Sequence, residues 1–204
     1  MERITADKDR MPSAAAKAVR IIAAPHFMAI LLATLLYISM GDTAFANRLH
    51  YIEALFTLGL LPMVSYLICA IIPSLRKKGR KLERTLAIVF SVLGYIMGTM
   101  FSLLGGGTAV ESTLYLTYLI SGAATALLSF VMHFRVSGHT CGVSGPAAML
   151  VYYLGFAFIP MFALLIPVFM SSLKLGRHSI AQLIVGCVVP TVSMFLAILI
   201  VSGI

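Results

Sequence analysis

Apolar residues run along this chain in blocks separated by short polar breaks. The blocks cover about Val19 to Met40, Ile52 to Pro73, Thr85 to Leu104 and Ser112 to Met132, with a last one from about Ser179 to Ile204. Each is close to the ~20 residues that cross a bilayer's hydrocarbon as a helix. Backbone groups in lipid must be bonded internally, which leaves helices or a closed barrel. A barrel strand alternates with period two, and Leu196-Ala197-Ile198-Leu199-Ile200-Val201 does not. The pattern therefore predicts an all-α, polytopic transmembrane helix bundle over residues 19–204. The third block carries Gly94-x-x-x-Gly98, a spacing that lets helices approach closely.

The stretch from Thr140 to Met170 is mostly apolar and too long for one upright helix. As one tilted span it gives six crossings; broken near Gly155 to Pro160 it gives seven. The polar breaks are a loop with Asp42, Arg48 and His50, the charged run Leu75 to Arg84, and a tight turn at Gly105-Gly106-Gly107. Residues 1–18 are polar and mixed in charge, and are expected to form a cytoplasmic tail. Ala44-Phe45-Ala46 resembles a leader cleavage site, but it ends far beyond the usual 15–30 residues.

Composition supports the membrane reading. The chain is 60% hydrophobic and only 11% charged, with a mean hydropathy of +1.02. A soluble domain carries roughly a quarter charged residues. The net charge of +8 fits basic residues gathered on the cytoplasmic side better than a nucleic-acid surface. Seven crossings with the amino terminus inside place every Lys and Arg except Arg48 inside. Six crossings would move Lys174 and Arg177 outside, so the charge count prefers seven. Cys69, Cys141 and Cys187 lie in or beside apolar segments and read as small apolar residues, with neither disulfide nor metal-ligand spacing.

Chemistry concentrates in three polar segments that seven crossings put on one membrane face. The first holds Lys77 and, seven positions on, Arg84. The second is Arg135-Val136-Ser137-Gly138-His139-Thr140. The third is Lys174-Leu175-Gly176-Arg177-His178, with Gln182 one turn later. No Asp or Glu follows Glu111, which argues against a carboxylate-bound metal or a glycosidase pair. Fixed cations around two histidines suit a bound phosphate, one histidine acting as nucleophile and one as acid–base. His26, His50 and His133 lack such company and read as interfacial.

These segments resemble the three motifs of the type 2 phosphatidic acid phosphatase superfamily of membrane lipid phosphatases, in a divergent prokaryotic branch. Lys77 and Arg84 have the spacing of the first, with Thr85 replacing proline. Ser137-Gly138-His139 is similar to the second, with Val136 replacing proline. The third runs from Ser171 to Gln182, with Ser172 where the family has arginine and Gln182 where it has aspartate. The resemblance implies a multi-pass prokaryotic membrane protein that hydrolyses a lipid or isoprenoid phosphate or diphosphate without cofactor or metal. It implies His178 as nucleophile and His139 as acid–base, with Gln182 accepting the Nδ1 proton of His178. Lys77, Arg84, Ser137 and the Gly138 backbone would hold the phosphoryl oxygens, with Lys174 or Arg177 replacing the missing arginine. A phosphotransferase of the same fold, and a degenerate relative that only binds or scaffolds lipid, are the alternatives.

Overall fold

The computed structural model describes residues 23–76 and 79–203. The expected tail, the first residues of the first predicted span and Lys77 lie outside them. Among the described residues seven long helical segments follow one another, besides the short helix Pro73–Arg76: α1 Pro25–Thr43, α2 Arg48–Ile71, α3 Gly79–Leu104, α4 Ala109–Val131, α5 Gly138–Leu154, α6 Phe156–Lys174 and α7 Ile180–Ser202. There is no strand among the described residues. Six segments, all but α5, contain a stretch long and apolar enough to cross a membrane. The chain is thus an integral, multi-pass membrane protein.

The long apolar stretch breaks at Gly155, inside the expected window. Gly155 has φ +95°, a conformation open to glycine and strained for other residues. The break makes α5 and α6 a hairpin. At 17 residues, α5 rises only about 25 Å, short of the ~30 Å hydrocarbon thickness. Within α5, Gly142, Val143, Ser144, Gly145, Pro146 and Ala147 are all buried. The helix closes a ring of α1, α2, α3, α4, α7 and α5 in which each helix packs on the next, with α5 between α7 and α1, and α6 packs against α5.

Small residues set these spacings. A Cβ on Gly142 would stand 2.7 Å from the Pro25 Cα, and one on Gly186 would stand 2.0 Å from Thr140 Oγ1. The Gly94-x-x-x-Gly98 pair serves two neighbours: Gly94 lies against the Thr57 carbonyl of α2, and Gly98 under the Tyr115 ring of α4. Leu32, Leu36, Phe45, Leu58, Leu114 and Leu150 form the main apolar core. With lipid as apolar as these side chains, close packing and interhelical hydrogen bonds hold the bundle.

The alternation of helices puts residues 72–76 and the connections 132–137 and 175–179 at one end, called here the basic end. The loops 44–47, 105–108 and Gly155 lie at the other.

Candidate functional site

The start of α5 is built by Ser137. Its hydroxyl accepts the Thr140 N–H at 3.4 Å, while Thr140 Oγ1 donates to the Ser137 carbonyl at 2.9 Å. This N-cap leaves Gly138 exposed, with open space where a side chain would stand, and His139 half-buried beside it. The 175–179 connection is equally determined. Gly176, at φ +58°, ends α6: its N–H reaches the Leu173 carbonyl, and the Arg177 N–H reaches the Ser172 carbonyl, both at 3.0 Å. That paired closure is the left-handed C-terminal arrangement glycine favours. Two residues later Ser179 caps α7 in a reciprocal box, its hydroxyl accepting from the Gln182 N–H and the Gln182 side chain accepting from the Ser179 N–H. His178 is held in the short link between cap and closure.

The two helix starts are tied together. Ser137 N–H donates to the Gln182 carbonyl at 3.3 Å, and Gly186 admits Thr140 against α7. Ser137, Gly138, His139, His178 and Gln182 therefore share the basic end. Gln182 Oε1 accepts from His178 Nδ1 at 3.2 Å, the contact expected from their spacing. A donor at Nδ1 places the lone pair of a neutral ring on Nε2. Both helix starts also turn partial positive charge toward this end. Arg135 and Lys174 are exposed and Arg177 half-buried. Arg84 lies in α3, but its side chain, like all of Lys77, falls outside the described residues.

The opposite end holds polar chemistry that the sequence reading passed over. His50, read as interfacial, is only 4% exposed, and Glu111 is fully buried. Glu53 is half-buried. His50 Nδ1 donates to both oxygens of Glu111, at 2.8 and 3.0 Å. The Tyr115 hydroxyl donates to Glu53 Oε2, and Thr57 Oγ1 lies 3.4 Å from the same hydroxyl. The signal was present as Glu53 and Glu111 at the very start of two apolar blocks, since ionisable groups at membrane depth mark function by default. No group of three His, Cys, Asp or Glu is placed to hold a metal among the described residues.

Compared with protein-family models, curated proteins and solved structures, the chain finds no match.

Proposed function

We propose that the protein is a membrane-embedded phosphatase acting on a lipid or isoprenoid phosphate through a phosphohistidine. The observation that carries this reading is the joining of the α5 and α7 starts, which brings His139, Gly138 and His178 to one end with His178 oriented through Nδ1. His178 Nε2 attacks phosphorus, the ester P–O bond breaks, and His139 gives its proton to the departing alkoxide. His139 then takes a proton from water as the water oxygen attacks the phosphohistidine, which frees phosphate and restores His178. Exposed Gly138 lets a phosphoryl oxygen approach backbone N–H groups, and Arg177, Lys174, Lys77, Arg84 and Ser137 supply the remaining charge and hydrogen bonds. The charge count puts this end, with the amino terminus, on the cytoplasmic side.

A second reading, phosphate-lipid binding without turnover, draws on Gln182, whose carbonyl is shared with the Ser179 N–H and cannot stabilise an imidazolium by charge. One experiment separates these readings. Purified protein with chelator present is assayed for phosphate release from phosphatidate and prenyl phosphates, and for their binding. Release that disappears in His178→Ala and His139→Ala supports the phosphatase. Binding without release in the unaltered protein supports the second reading, and release retained by both variants refutes the mechanism. A labelled acceptor alcohol that captures the phosphoryl group would mark a transferase.

A further inference from the structure

The His50, Glu53, Glu111 and Tyr115 network holds more acid than side-chain cation, with Glu111 in the first turn of α4 and accepting the Ala46 N–H at 3.5 Å. Its members stand on facing ridges, three apart on α2 and four apart on α4. Two carboxylates against one imidazole leave a net charge of −1 even when the imidazole is doubly protonated. No Lys or Arg pairs with either carboxylate among the described residues. The α3 side presents Phe101, whose ring lies 4.6 Å from that of His50, and Ser102. Asp42 and Arg48, at the same end, are exposed.

Simple fastening of helices does not call for this charge. Ser102 and Ser112 join α3 and α4 nearby with a neutral bond of 2.9 Å, and a buried ion pair rarely stabilises more than apolar residues would. A metal has no set of three ligands among the described residues. The ligand that neutralises the network and needs no space of its own is a proton. We propose that this network is an intramembrane proton-binding site, exchanging one proton with the aqueous phase through half-buried Glu53 and passing its charge state to the α2–α4 contact.

With the proton bound, the network is neutral when His50 is charged, and α2 and α4 pack together. As pH rises the proton leaves, two carboxylates face each other across α2 and α4, and the contact weakens. The site is independent of the histidine pair at the basic end. The full chain in lipid nanodiscs is melted across a pH series beside Glu53→Gln, which is permanently neutral and keeps an acceptor for Tyr115. The unaltered protein is expected to lose stability as pH rises, and the variant to melt roughly 2–4 °C above it at alkaline pH. Parallel profiles would overturn the proposal. Infrared spectra of the unaltered protein read the proton directly. A protonated-carboxyl stretch that fades with rising pH and is missing from Glu53→Gln is expected. Its absence at every pH where the protein is folded, or its persistence in the variant, overturns the proposal.

Discussion

The two ends of the bundle each hold a histidine whose Nδ1 donates to a side-chain oxygen beside capped helix starts, and they differ in burial and in the charge of the acceptor. At the basic end the acceptor is the neutral amide of Gln182 and the ring is half-buried, between two capped helix starts with cations nearby. At the other end the acceptor is the Glu111 carboxylate, the ring is buried, and Glu53 and Tyr115 extend the network. A neutral acceptor orients a ring without committing its charge, which suits a nucleophile that must meet an anion. A carboxylate holds charge in place, which suits a proton store or a clasp. A similar Nδ1 donation thus stands in two different settings, set apart by burial and by the acceptor's charge.

Removing the histidine at the basic end should give the largest effect. His178→Ala is expected to abolish phosphate release, and His139→Ala to lower it by about 10²–10⁴-fold, while thermal unfolding changes little. At the other end Glu111→Ala is expected to cost stability instead, roughly 3–5 kcal/mol, because His50 loses its buried partner. Chemical denaturation checks this, and a variant as stable as the parent would deny the clasp. Gly186→Ala tests what joins α5 to α7: its methyl meets Thr140 Oγ1, and overpacking of this kind costs about 1–3 kcal/mol. Phosphate release should fall with it as His139 and His178 are displaced. Ser137→Ala removes the α5 cap together with one proposed phosphate contact, with a stability loss of about 1 kcal/mol and a fall in phosphate release.

One end can also be made to resemble the other. Gln182→Glu gives His178 a carboxylate acceptor, so the pH dependence of phosphate release should shift upward as the imidazolium gains support. An unchanged profile would mean that Gln182 serves the capping box alone.

Much of the fold was legible in the residues. The third block ends in the structure at Leu104, as read, and the hydrophobic blocks elsewhere match helices within several residues. Ser179 followed by Gln182 is a capping signature that marks the start of α7. Pro25 opens α1, where a proline's missing N–H costs least, and residues 19–22 of the first predicted span lie outside the described residues. The site was legible less evenly. The Gln182–His178 contact followed from a spacing of four within one connection. His50 and Glu111, 61 residues apart, followed from nothing local, and His50 was read as interfacial because its partner was distant in the chain.

By itself the sequence determined that this chain enters a membrane as helices, where most of them begin and end, and which end carries the cations. Those properties depend on hydropathy, caps and charges that act over a few residues. Only the tertiary structure decided that the short α5 stands between α1 and α7, that Gly186 brings the two helix starts together, and that Glu111 closes on His50. Each depends on which helix stands beside which, and in lipid that choice rests on close contacts between distant residues rather than on hydrophobicity.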